Sequence, residues 1–277
     1  MKYLTKPASA KDDLAVVKST CKKNGWEKEQ SDWIRAYVKY YLLKGNPWSV
    51  SPATYSNPFS DQQYKLYDSR KSGGPIKRIR ATKNLLSCPV CGSSTTGDVD
   101  HYLPRKVYPE FSIMRANLVP SCTHCNSSVK GSHVKGEKPQ RFIHPYFDDW
   151  ADKAIWHIEF VVPFEAVQFR PTPNSKLSED RQKIVDFHLN HVLGEQFHRS
   201  MENKWATLPN LLNLTVRNSK KSYKHTRKAI RGELRKAKAT TGKNSWDTAF
   251  FRGLLKNSNA IGYIHDLRLT QSKPFPE

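Results

Sequence analysis

Four of the five cysteines fall into two C-x-x-C pairs, Cys88/Cys91 and Cys122/Cys125. A C-x-x-C turn offers two thiolates to one ion. Two such turns complete a tetrahedral all-thiolate set with no open position, the arrangement of a structural zinc site. That reading needs reduced thiols. Met1-Lys2-Tyr3-Leu4 runs straight into polar residues with no apolar leader-like segment, and no apolar run approaches the roughly 18 residues of a membrane span. A reducing cytoplasmic setting without membrane contact is therefore expected, and there paired cysteines bind metal more often than they form disulfides. The competing reading is a redox pair plus unrelated thiols. Cys21 stands alone in a helical pattern and reads as an inert buried thiol. The gap between the two pairs is longer than in a simple zinc ribbon, so something is inserted.

The insert carries candidate chemistry. Gly97-Asp98-Val99-Asp100-His101-Tyr102-Leu103-Pro104 suggests a short strand ended by Pro104. Asn117-Leu118-Val119-Pro120-Ser121-Cys122 follows, then Asn126 and Lys130. D-H, then N-L-V-P, then C-x-x-C-N-x-x-x-K resembles the HNH endonuclease family with its ββα-metal fold. The resemblance covers residues 85–132, under a fifth of the chain. It implies that His101 is the general base and Asp100 a ligand of a catalytic divalent cation. It implies that Asn117 holds the loop between two strands and so orients the histidine. Asn126 matches the final position, a metal ligand on the helix, where the family often has histidine. His124 is out of register for that role.

Elementary chemistry agrees with those roles. A hard cation on oxygen ligands such as Asp100 and Asn126 can polarise a phosphate and stabilise a departing 3′ oxygen, and Mg2+ or Mn2+ suits such a site. Histidine is the side chain whose ordinary titration lies near neutrality, so His101 is of the residue type that can accept a water proton. The plainer reading of His101 alone is a buried structural histidine. Asp98, two residues before Asp100, should share its side of the strand. It either assists the metal or caps the turn after Gly97. His144, in an aromatic segment, reads as a packed loop histidine rather than a cleft residue.

The charge balance favours a polyanion partner. Lys plus Arg number 46 against 25 Asp plus Glu, a formal net charge of +21. Eleven basic residues and one acid, Glu233, lie in 217–243. At helical spacing Tyr223, Ile230, Leu234 and Ala237 form an apolar face, while Lys220, Lys224, Arg227, Arg231, Arg235 and Lys238 form a neighbouring basic ridge suited to a phosphate backbone. The bland alternative is a solvated charged face. Arg105 and Lys130 are further candidate phosphate contacts. A second basic cluster, Lys71, Lys77, Arg78, Arg80 and Lys83, reads with Ser72-Gly73-Gly74-Pro75 as a loop or arm.

Elsewhere the pattern speaks of architecture. Helices are expected over 9–23, capped by Ser9 and stopped by Gly25, and over 28–44, with Trp33, Ile34, Tyr37, Val38 and Tyr41 on one side. A loop is expected over 46–63. Paired strands fit 155–162 and 166–170. A helix capped by Ser178 follows, then another over 196–214 and a last one over 246–257. The fold class is α+β, a small zinc-stapled ββα-metal core embedded in a mainly α-helical body. The expected regions are helical 1–70, the HNH core 71–150 and a basic, mostly helical 151–277.

The resulting expectation is a metal-dependent HNH endonuclease acting on DNA, with RNA as a possible substrate. A solo core wrapped in basic helices resembles the nuclease subunits of Septu-type and retron-associated anti-phage defence systems. Those subunits are paired with an ATPase, so an ATPase or other sensor subunit is the implied partner. Two other classes compete. A stand-alone restriction-type enzyme would need a reader module, and neither a helix-turn-helix nor an aromatic cage is evident. A non-catalytic zinc-dependent nucleic-acid binder would not need Asp100, His101 and Asn126 together.

Overall fold

Ser9 opens the first helix as the spacing predicts. Its hydroxyl accepts from the Asp12 amide and the Asp12 carboxylate returns to the Ser9 amide, a reciprocal capping box. Helix α1 (Ala10–Asn24) ends at Gly25, whose φ of 71° is left-handed. The computed structural model describes residues 1–125, 133–215 and 222–270. Helix α2 (Gln30–Leu42) packs on α1 and buries Trp33, Tyr37 and Tyr40. Val38, expected on that stripe, is 40% exposed. The buried face follows the spacing i, i+4, i+7 from Trp33.

The region from 57 to 80 departs from expectation. Helix α3 (Asn57–Arg70) begins inside the expected loop, with Pro58 in its first turn. Proline fits there because its missing N–H has no intrahelical partner at that position. The expected basic arm is largely helix α4 (Gly74–Arg80), entered through Gly74 at φ 50°. Ile76 and Ile79 give α4 a short apolar edge. They join Tyr67, Val99 and Leu118 in a small core of their own. A stretch dominated by Ser, Gly and Lys thus folds because two isoleucines three apart find an apolar surface.

Strands β1 (Asp98–His101) and β2 (Leu118–Ser121) pair antiparallel, Asp98 opposite Ser121 and His101 opposite Leu118. Residues 123 and 124 are helical directly after β2. A second ribbon, β3 (Trp156–Val161) with β4 (Gln168–Pro173), is also antiparallel. Helices α5 (Glu179–Val192), α6 (Glu195–Thr215), α7 (Tyr223–Thr241) and α8 (Trp246–Leu254) follow. The chain does not stop its helices there. Helix α9 (Ser258–Thr270) adds buried Ala260, Ile261 and Ile264. The body is mainly helical with two small ribbons. Its large hydrophobic core draws residues from Val17 on α1 to Ile264 on α9 and includes all four paired cysteines. Cys21 is fully buried, and burial pushes its thiol pKa up, as an inert thiol requires. No helix of the described residues is long and apolar enough to cross a membrane.

A candidate zinc site beside a histidine-bearing ribbon

The four paired cysteines converge. All are buried, and their sulfurs lie within 4.8 Å of one another. Cys91 Sγ and Cys122 Sγ are 3.7 Å apart. Tetrahedral zinc with Zn–S of about 2.3 Å sets sulfurs about 3.8 Å apart, so this donor set fits the ion. The first pair sits in a tight knuckle. The Cys88 amide donates to the Ser93 carbonyl at 2.8 Å and the Gly92 amide to the Cys88 carbonyl at 2.9 Å. Gly92 has φ 85°, and a Cβ there would lie 2.6 Å from the Asn244 carbonyl oxygen. The second pair follows directly from β2.

Distant elements brace the knuckle. Trp246 Nε1 donates to the Cys91 carbonyl at 2.8 Å, tying it to the start of α8. His188 on α5 accepts from the Ile143 amide at Nδ1, 3.1 Å, and so donates from Nε2 to the Val90 carbonyl, 2.8 Å. Neither residue stands out in the sequence, since an isolated Trp or His in a helix carries no signal of what it reaches.

On β1, Asp98 and Asp100 are half-buried while Val99 and His101 are buried, so the two acids share one face. Asp98 Oδ1 also accepts from the Val99 amide at 2.8 Å. His101 Nε2 lies 2.9 Å from the Ser112 carbonyl. A carbonyl only accepts, so Nε2 carries the hydrogen and Nδ1 is the basic nitrogen of the neutral ring. The Tyr67 ring packs against this imidazole, 4.6 Å between centroids.

Asn117 closes the loop between the two strands. Its Oδ1 accepts from the Leu103 amide at 2.8 Å and the Tyr40 hydroxyl at 3.0 Å. Its Nδ2 donates to the Leu103 and Phe111 carbonyls at 3.0 and 3.3 Å. All four side-chain hydrogen-bonding positions are thus used, and the residue is fully buried. Tyr40 also meets His144 Nε2 at 3.0 Å. His144 accepts from the Tyr146 amide at Nδ1, stacks on Tyr102 at 3.9 Å and is 1% exposed. It is a packed histidine behind the ribbon.

The remaining candidates divide. Asn126, Lys130 and Lys220 lie outside the described residues. Among the described residues, the sulfur cluster is the one group of three or more His, Cys, Asp or Glu with ligand atoms this close. Lys224, Arg231, Arg235 and Lys238 are exposed on α7, and Arg227 is half-buried with a bond to the Leu255 carbonyl at 3.2 Å. The first three, with Arg227, Lys228 and Leu234, line a groove of about 440 Å³. The buried side of α7 is Thr226, Ile230, Glu233 and Ala237. Tyr223, expected there, is 37% exposed, and Leu234 is only partly buried. Arg105 is drawn into the fold. It pairs with Asp68 at 2.7 Å, a carboxylate that Lys71 shares at 3.3 Å, and stacks over Tyr64 at 4.2 Å.

Known proteins share a segment with this chain. Protein ea31 of Escherichia phage lambda is 48% identical over 62 residues, 22% of this chain and 21% of that protein. The Septu protein PtuB of Bacillus thuringiensis is 36% identical over 61 residues, 22% of this chain and 23% of that protein. The match therefore spans about a fifth of each relative. No family model matches the chain, and no solved structure matches it.

Proposed function

We propose that this chain is a zinc-stapled HNH-type endonuclease that hydrolyses nucleic-acid phosphodiester bonds, with DNA as the principal substrate. The observation that carries the reading is the way His101 is held. Its Nε2–H is committed to the Ser112 carbonyl, and the loop beside it is clipped by Asn117 through Leu103 and Phe111. A histidine with a fixed tautomer beside an aspartate suits a general base.

In this reading Nδ1 of His101 takes the proton of a water whose oxygen bonds to phosphorus as the bond to the 3′ oxygen breaks. Asp100 and Asn126 would hold Mg2+ or Mn2+, which supplies charge stabilisation for the phosphate and the leaving oxygen. Consecutive strand residues leave on opposite faces, so a phosphate served by both Asp100 and His101 lies at the end of β1. The four thiolates hold zinc and keep β2 and the knuckle together. The α7 ridge, Lys224, Arg227, Arg231, Arg235 and Lys238, binds backbone phosphates. The shared segments with a phage protein and a Septu protein support a phage-related or defence role. In that role the chain alone keeps a weak basal cleavage, which an ATPase or other sensor subunit raises.

The test is cleavage of supercoiled plasmid and of single-stranded RNA by zinc-loaded protein. Mg2+ or Mn2+ is compared with no added cation, and His101→Ala with wild type. Metal-dependent nicking or linearisation that His101→Ala abolishes is the expected result. A folded wild type that binds nucleic acid yet cuts neither substrate with either cation would refute the reading.

A further inference from the structure

The wall that faces His101 comes from outside the segment that carries the motif. Tyr67, on α3, sets its ring against the imidazole at 4.6 Å and 68°. The Ser112 carbonyl holds the same imidazole at Nε2. A hydrogen bond at one atom still lets a ring swing about that atom. A second contact on the ring removes that motion, and small displacements of a reacting group carry large rate penalties.

Tyr67 is itself held from several sides. Its ring is buried among Ile76, Ile79, Val99 and Leu118. Burial raises the pKa of its hydroxyl, and the positive charge of the neighbouring Arg80 guanidinium pulls in the other direction. Arg80 is anchored in turn by the Lys71 carbonyl at 2.8 Å. Arg105 lies 5.0 Å from the Tyr67 ring centre. It is fixed there by Asp68 at 2.7 Å and by the Tyr64 carbonyl at 3.2 Å. Tyr64, Tyr67 and Asp68 are neighbours on one face of α3. The α3–α4 unit therefore delivers one aromatic ring, with its orientation over-determined, onto the one histidine of β1. Filling a small apolar core needs no such restraint.

We propose that Tyr67 is a positioning residue for His101, its ring rather than its hydroxyl holding the imidazole in the orientation that the Ser112 carbonyl selects. The kinetic side of this inference rests on the nuclease reading; the ring-holding side does not. Two variants separate the ring from the hydroxyl and from simple packing. Tyr67→Phe keeps the ring, and Tyr67→Leu keeps an apolar filling without it.

The expected kinetics are near wild-type turnover for Tyr67→Phe. Tyr67→Leu should lose about 10- to 100-fold in kcat with little change in KM, at unchanged zinc content. Side-chain 15N spectra of His101 in the neutral ring should show a sharp Nε2–H pattern in wild type and Tyr67→Phe. In Tyr67→Leu the pattern should be averaged between tautomers. Wild-type kcat or an unaveraged pattern in Tyr67→Leu would overturn the proposal. So would a Tyr67→Phe as impaired as Tyr67→Leu, which would assign the effect to the hydroxyl and Arg80. If Tyr67→Leu loses its zinc or its cooperative melting, Tyr67→Met takes its place with the same readouts. A wild type that cuts nothing sinks the nuclease reading, while the 15N patterns still decide the positioning.

Discussion

Glu110 is a carboxyl buried where water cannot reach it, and it should make the stability of this protein fall as pH rises. It lies in a 3-10 turn, Pro109–Phe111, two residues before the Ser112 carbonyl that holds His101. The side chain is 0% exposed. Oε1 accepts from the Ala53 amide at 2.9 Å, and Oε2 has no hydrogen-bond partner. Loss of hydration raises its pKa from 4.5 to about 7, with the Ala53 amide pulling weakly the other way. The folded state therefore keeps a proton that the unfolded chain releases near 4.5. Between those values the folded state binds more protons, so stability is full below about pH 4.5 and declines as pH rises through 7. Each pKa unit corresponds to about 1.4 kcal/mol, so the loss approaches about 3 kcal/mol at pH 8 and is about 1 kcal/mol at pH 5. Glu110→Gln removes the titration and keeps the shape. Urea unfolding of zinc-loaded wild type and variant at both pH values isolates the effect, because zinc-linked titrations are common to both proteins. Glu110→Gln should gain about 2 kcal/mol over wild type on going from pH 5 to pH 8. A difference between the two proteins that stays the same at both pH values would show that Glu110 does not carry this linkage.

Other outcomes follow from the same geometry. Asn117→Ala strands the buried Leu103 amide and carbonyl and takes one partner each from the Tyr40 hydroxyl and the Phe111 carbonyl, so it should cost about 3 kcal/mol in urea unfolding, whereas Tyr40→Phe should cost only about 1 kcal/mol; equal costs would mean that the loop clip adds nothing beyond the Tyr40 hydrogen bond. Removing zinc with a chelator, or Cys91→Ser, should abolish the near-ultraviolet circular dichroism of the core, since structural zinc energy is folding energy; a metal-free protein with an unchanged spectrum would dismiss the zinc reading. Gly92→Ala should weaken zinc retention in a chelator competition, because φ 85° and the Asn244 carbonyl both resist a Cβ; unchanged retention would show that the knuckle adapts. Arg231→Gln with Arg235→Gln should reduce the slope of log affinity against log salt for duplex DNA by about 2, read by fluorescence anisotropy; an unchanged slope would leave α7 as a solvated face.

Interactions that are short in sequence were legible before folding. A C-x-x-C turn binds through residues three apart. A Ser9–Asp12 box and a Gly25 stop act within one helical turn, and the alternation at 98–101 marks a strand by its own period. The candidate base, its neighbouring acid and the loop asparagine could be named because the motif that resembles the HNH family is itself one compact segment. What that segment leans on could not. Tyr67, the Ser112 carbonyl, His188 and Trp246 reach the ribbon or the knuckle from distant positions, and a tyrosine, a backbone oxygen, a histidine or a tryptophan has no local pattern that names its partner. Helix α4 shows the same limit, since Ile76 and Ile79 make a helix worthwhile only once Val99 and Leu118 offer them a surface. The proton on Glu110 depends wholly on how deeply packing buries it. Local chemistry thus determined which groups the chain carries, while long-range packing decided which are held still, which are dehydrated and which, like Arg105 beside Asp68, find an ion-pair partner within the fold.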